Sequence, residues 1–377
     1  MGRLPALEIA ERAAALRARG GEVLNIIGVP VLPMPPHVVA AAADAAPRAF
    51  PRQSRGWPEL RRALSGHLRD VLAVTADPDT ELLITHGAQH GMSLALRALL
   101  AAGDEVVVPA PTYFYDGTLR SARLTPVYVA TSPGTGWALD PDALRRHVTP
   151  ATRAILLCNP NNPTGNVPTA AELAAIVDLT REHNLLVFSD ESYERYVHEG
   201  TYTPIARFGH VHDQLVTVTS MSKNYAFTNW RIGYLHAPAG LTGRIHETLE
   251  WDSINVGDVP QAAAVAALEG PQEWILGPLS SLKERRDILH AALSGAGVPA
   301  VLPPAGVFLF ADLAGSGLAG RDLESALLAE GIPAVAGDAF SGYGAHGNYA
   351  RLMYGSAPDV VAETGRRAGR LIRARSR

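Results

Sequence analysis

The sequence predicts an α/β protein in which a large doubly wound domain, built on a mostly parallel sheet, is joined to a smaller α+β domain. Three observations predict it. From about residue 82 onward, short and continuously apolar runs trade places with helical patterns, as strands do when helices cover both faces of a parallel sheet. Polar clusters stand at the C-terminal ends of these runs, where open α/β sheets bind ligands. From about residue 279 a long helical pattern leads into a different rhythm of strands and one intervening helix.

The elements follow in order. An Ala-rich amphipathic pattern over residues 6–19 predicts an opening helix. Residues 82–85 read as a strand, 88–101 as a helix, 105–109 as a strand, and the region of Tyr115 as a helix. Further strands are predicted over 124–129, 154–157, 185–188, 215–219 and 232–236, with helical patterns over 140–147 and 169–183 between some of them. Beyond the long helix come strand patterns over 307–313, 332–335 and 350–354 and a helical pattern over 321–330. The large domain is therefore expected over residues 38–280, and the small domain from 1–37 together with 281–377. The absence of internal repeats and low-complexity linkers favours one continuous architecture.

Composition excludes several classes of function. No apolar stretch approaches the roughly 20 residues of a membrane span. The N-terminal region has no long apolar core or cleavage site, so neither a secretory nor a transit peptide is expected. A single cysteine, Cys158, permits no intrachain disulfide and fits a reducing cytoplasm. The net charge of -4 argues against a general nucleic-acid binder, and the basic stretch 366–377 reads as a solvated helix end. His86 and His90 are spaced one helical turn apart, and His210 and His212 alternate, but no acid or cysteine completes a set, so no metal site is expected.

Lysine usage is more informative. The 377 residues include 31 arginines and two lysines, and one of the two, Lys223, lies in Ser220-Met-Ser-Lys223 after an apolar run. An amine forms Schiff bases; a guanidinium, always protonated and a poor nucleophile, does not. The other strand ends supply an acid (Asp190), an amide (Asn162), an aromatic (Tyr113), a strand-to-helix turn (Gly87-Ala88-Gln89) and arginines. Each has an ordinary reading alone. Asp190 also suits a helix cap, Asn159 to Gly165 a plain turn, Gly87 to Gln89 any strand-to-helix junction, and Tyr113 the core. As a set they match what pyridoxal phosphate requires: a lysine for the aldehyde, an acid for the pyridine nitrogen and donors for the phosphate.

Asn159-Pro-Asn-Asn-Pro-Thr-Gly165, Ser189-Asp190-Glu-Ser-Tyr193, Ser220-Met-Ser-Lys223 and Arg231-Ile-Gly233-Tyr follow one another in that order. This series resembles the aspartate-aminotransferase superfamily, the fold-type-I pyridoxal-phosphate enzymes of aminotransferase class I/II. The resemblance runs from Gly28-Val-Pro30 through Gly56-Trp-Pro-Glu-Leu-Arg61 to Arg351. It implies that Lys223 holds the cofactor aldehyde and later moves the substrate proton, and that Asp190 pairs with the pyridinium nitrogen. Asn162 and Tyr193 would hydrogen-bond the phenolic oxygen, and Tyr113 would stack on the ring. The Gly87 turn with the amides of Ala88 and Gln89, together with Ser220, Ser222 and Arg231, would bind phosphate. Arg351 would pair with the substrate α-carboxylate, with Gly28 and Asn162 beside the substrate. The implied activity is transfer of the amino group of an L-amino acid to a 2-oxo acid, in a homodimer with shared sites.

Two positions depart from the family pattern. A tyrosine that reaches the neighbouring subunit's phosphate is replaced at Phe50 or Pro51, with Arg52, Ser54 or Arg55 as substitute donors, and the glycine before Trp-Arg is Asn229. The same chemistry also runs in lyases, cyclases and oxidases of amino acids, which form the alternative reading. A literal Gly-x-Gly-x-x-Gly at Gly315 to Gly320 offers a different one, dinucleotide binding.

Overall fold

The computed structural model describes residues 2–26, 28–29, 32–47, 53–342 and 344–373, apart from the side chain of His210. Phe50, Pro51 and Arg52 lie outside the described residues. Seven strands form the larger sheet: β1 (Leu82–Thr85), β2 (Glu105–Ala110), β3 (Thr125–Ala130), β4 (Thr152–Cys158), β5 (Leu186–Asp190), β6 (Leu215–Ser220) and β7 (Gly233–His236). Their order is β1-β7-β6-β5-β4-β2-β3. Neighbours are parallel except at β7, which runs antiparallel to both β1 and β6.

Alternation along the inner strands explains why their sequences are apolar throughout. Val106, Val108, Leu156 and Phe188 pack on one face with Met92 and Leu94 of the helix Ala88–Leu99 and Leu249 of the helix Ala239–Ser253. Val107, Ile155, Leu157 and Val187 pack on the other, with Leu173 and Ile176 of the helix Ala170–His183. Each face is buried, so both sets of side chains must be apolar. Thr169 and Glu172 close a reciprocal capping box at the start of that last helix, which fixes where it leaves the Asn159 to Gly165 loop.

A second sheet contains β8 (Phe308–Asp312), β9 (Val335–Ala336) and β10 (Tyr349–Met353), in the antiparallel order β8-β10-β9. Helices Leu282–Gly295 and Pro358–Arg373 cover it, burying Leu289, Leu293 and Val361. The segment Gly315 to Gly320 makes a tight turn between β8 and the helix Gly320–Ala329. Because both pairings in this sheet are antiparallel, that turn is not the phosphate loop of a parallel βαβ unit, and the dinucleotide reading fails. Gly165 joins the two sheets: a Cβ there would lie 2.3 Å from Ala305 O, while Gly165 O accepts from Ala305 N at 3.1 Å. Among the described residues no helix is long and apolar enough to cross a membrane.

Candidate active site

Register gathers the strand-end residues on one edge of the larger sheet. Ser220 at the end of β6 and Thr85 at the end of β1 both pair with Gly233, so the turns after β1 and β6 leave the sheet side by side. A Cβ on Gly233 would stand 2.9 Å from Gly87 Cα and 3.0 Å from Ala88 N. Glycine alone tolerates that approach. Gly87 has φ +86°, and a Cβ there would meet Arg231 Nη2 at 3.0 Å. The helix Ala88–Leu99 starts with no side-chain cap, leaving the N–H groups of Ala88 and Gln89 without an acceptor inside the helix, at its positive end.

Arg231 Nη1 donates to Ser222 Oγ at 3.3 Å and to Thr228 O at 3.0 Å, and Ser220 Oγ accepts from Ser222 N at 3.2 Å. Gly87, Ala88, Ser220, Ser222 and Arg231 thus surround one donor-rich recess. The Gln89 side chain belongs to its rim: its Nε2 donates to Thr118 Oγ1 at 2.5 Å. A cavity of about 780 Å³ opens beside it, lined by Gln89, Phe114, Thr118 and Arg231 among others. Asn229 is exposed in the turn that brings Arg231 back to Ser222.

Lys223 rides on the single helical turn Met221–Asn224, with Nζ 5.9 Å from the ring centroid of Tyr193. Burial, aided by the charges of Arg351 and Arg231 and opposed by Asp190, pulls its amine down to about 8. Burial pushes the Asp190 carboxyl up, against the hydrogen bonds from Ser192 and Tyr115 and the charge of Lys223. Tyr115 OH donates to Asp190 Oδ2 at 2.8 Å and Ser192 N to Oδ1 at 3.1 Å. Both donors are neutral, so among the described residues this half-buried carboxylate has no contacting cation. Tyr113 stands at the same edge, 5.0 Å from the ring of Phe114 and 5.4 Å from that of Tyr115.

Arg351, on the central strand β10 of the smaller sheet, is only 5% exposed. Its Nη1 donates to Asn162 Oδ1 at 2.9 Å, and its Nε has no partner among the described residues. Three rings enclose the guanidinium, with centroids 4.9 Å (Phe340), 5.5 Å (Phe114) and 5.7 Å (Phe308) from Cζ. A Cβ on Gly28 would stand 2.7 Å from the sulfur of Met353, two residues along β10 from Arg351. The bridge between Asn162 and Arg351 joins the two sheets directly at the site.

Sequence reasoning missed Tyr115 and the three phenylalanines. Tyr115 sits in the run Pro111-Thr-Tyr-Phe-Tyr115, and a buried acid needing a donor was the available signal for it. Of the three substitute donors near the missing tyrosine, Arg52 lies outside the described residues, Ser54 Oγ donates to Glu250 Oε1 at 2.6 Å, and Arg55 Nη1 donates to Thr80 O at 3.2 Å. Lys283, the other lysine, is half exposed and pairs with Glu199 at 3.5 Å.

The model of a known family, aminotransferase class I and II, matches residues 27–358. The chain belongs to this family. This aminotransferase is 37% identical over 292 residues to the probable N-succinyldiaminopimelate aminotransferase DapC of Mycobacterium tuberculosis, covering 75% of its own chain and 73% of that relative. It is 30% identical to an aspartate aminotransferase of Geobacillus stearothermophilus, across 98% of this chain and 96% of the other. The aspartate aminotransferase of Thermus thermophilus, solved with maleate, superposes with a TM-score of 0.92 at 28% identity, covering 98% and 97% of the two chains. These relatives are named as aminotransferases, and none of the three supports the lyase, cyclase or oxidase reading.

Proposed function

We propose that this aminotransferase uses pyridoxal 5'-phosphate held by Lys223 to move the amino group of an L-amino acid to a 2-oxo acid. One observation carries the reading: a half-buried amine lowered to about 8 and a half-buried carboxylate with no contacting cation among the described residues stand beside a glycine-walled set of phosphate donors. The residues fit the cofactor. Gly87 leaves room beside Arg231 that a Cβ would take, and Gly233 lets the Gly87–Ala88 backbone pack against it. When bound, the cofactor supplies an electron sink for charge that develops on the substrate α-carbon.

The chain's own groups would do the rest. The amides of Ala88 and Gln89 with Ser220, Ser222 and Arg231 hold the phosphate. Asp190, oriented by Tyr115 and Ser192, would keep a proton on the ring nitrogen. Asn162 and Tyr193 would hold the phenolic oxygen, and Tyr113 would pack on the ring. Arg351 takes the substrate α-carboxylate through its planar fork, and its unpartnered Nε is a donor free for that pair. Lys223, about half neutral at pH 8, takes the α-proton at Nζ and returns it. The relatives' names span diaminopimelate-type and aspartate substrates, so kinship does not choose the donor.

The same reading takes residues 38–280 as the cofactor-binding domain and 1–37 with 281–377 as the small domain, the chain pairing with a second copy. The lone, buried Cys158 suits a cytoplasmic setting. The test is acceptor dependence. With a panel of amino acids and no 2-oxo acid, the loaded protein should release one equivalent of new 2-oxo acid per site and stop, and an added 2-oxo acid should restart it. Sustained product without an acceptor would instead favour elimination or oxidation.

A further inference from the structure

Lys223 is carried by one turn of helix. Met221–Asn224 is only four residues long and closes through Tyr225 N to Met221 O at 3.0 Å and Phe227 N to Met221 O at 3.2 Å, without the repeated ladder that stiffens a longer helix. A side chain with four rotors that must hold a cofactor, release it and return to one proton needs a fixed base, because displacements near 1 Å cost about 10²-fold in rate.

The fixing comes from the segment that bears Asp190 and Tyr193. Tyr196, 1% exposed, donates its hydroxyl to Lys223 O at 2.9 Å. Asn224, 2% exposed, donates Nδ2 to Glu194 Oε1 at 3.0 Å, and His67 Nε2 lies 3.3 Å from the same oxygen. Successive turns connect these anchors: Glu194 N donates to Glu191 O at 3.2 Å and Tyr196 N to Tyr193 O at 2.9 Å. The rings of Tyr193 and Tyr196 meet edge to face at 5.4 Å. Asn224 Oδ1 and Glu194 Oε2 are buried without partners among the described residues. A pair kept only for packing would be served better by apolar side chains of the same shape.

We propose that Tyr196 and the Glu194–Asn224 pair are positioning residues that clamp the Lys223 turn at the Lys223 carbonyl and at Asn224 and lock it in register with Asp190 and Tyr193. The clamp rests on the reading of Lys223 as the cofactor lysine. Neither strut is among the residues assigned to substrate or cofactor; Tyr196 acts on the carbonyl of Lys223, and Glu194 on the side chain of Asn224.

The test compares Tyr196→Phe with the parent and with Tyr128→Phe, a phenol deletion at a hydroxyl bonded to Asp116 instead. Backbone amide exchange is followed in cofactor-free protein, and kcat and KM in protein loaded with pyridoxal 5'-phosphate. Tyr196→Phe should speed exchange over residues 221–227 at least tenfold and lower kcat at least tenfold, with KM for the amino donor within twofold. Tyr128→Phe should leave exchange in that turn unchanged. If Tyr196→Phe does not fold, Asn224→Ala is read in its place and should give the same signature. Unchanged exchange in the turn, or a kcat within twofold of the parent, overturns the clamp. A parent chain that takes up no pyridoxal 5'-phosphate would sink the cofactor reading, while the exchange comparison still decides the clamp.

Discussion

Arg351 and Lys223 are where single side chains carry the account. Arg351 lies near the C-terminus of an arginine-rich chain, and taken alone such a residue reads as surface charge. The role proposed for it was legible only through the family resemblance, because its bridge to Asn162 spans 189 residues of sequence and the ring of Phe114 comes from farther still. Arg351→Lys keeps the charge and loses the fork, so it should raise KM for the amino donor about 10- to 100-fold, the range for losing one or two charged hydrogen bonds. An unchanged KM would remove Arg351 from the carboxylate site. Lys223, lowered by burial, should attach added pyridoxal 5'-phosphate with a rate that rises with pH through a midpoint near 8, not near the 10.4 of an exposed lysine. Tyr115→Phe removes a donor that holds the Asp190 carboxyl down, so the acid limb of the rate profile should move to higher pH. Stopped-flow attachment rates and the pH profile of kcat check these two.

Strands and turns are where the sequence was most and least informative. All seven runs of the larger sheet were legible, since burial on both faces leaves the inner strands apolar and the helices between them amphipathic, while the edge strand β3 keeps enough apolar residues to be read. The reversal of β7 was not legible, because an antiparallel strand buried on both faces carries the same apolar pattern as a parallel one. The Asp190 to Tyr196 turn shows what lies beyond pattern reading: Tyr196 and Glu194 acquire their function only when the turn coils back under Lys223. Glu191 in the same turn is buried and accepts from Ser189, Tyr202 and Ile205 N. Burial pushes its carboxyl up to about 7 from an ordinary 4.5. The folded state therefore binds this proton more tightly than the unfolded state, and the stability it brings, complete below pH 4.5, is lost as pH rises through 7. Glu191→Gln should flatten that fall and gain up to about 3 kcal/mol relative to the parent at pH 8, with little difference at pH 4.5. Denaturant unfolding at both pH values checks it; parallel curves would contradict the shift.

Across the whole molecule, the site exists because two sheets meet. The larger sheet offers the phosphate cradle, Asp190 and Lys223, and β10 of the smaller one offers Arg351, with Gly165 against Ala305 and Asn162 against Arg351 holding the seam. Pairing of two copies should appear as a particle of twice the 40.0 kDa chain mass in sedimentation equilibrium. The central claim is narrower: of two lysines in the chain, Lys223 is the one that holds the cofactor. Borohydride reduction of the loaded protein, followed by peptide mass spectrometry, tests it directly. The account predicts a pyridoxyl phosphate adduct on the peptide containing Lys223 and none on that containing Lys283, whereas label on Lys283, or on neither, would contradict it.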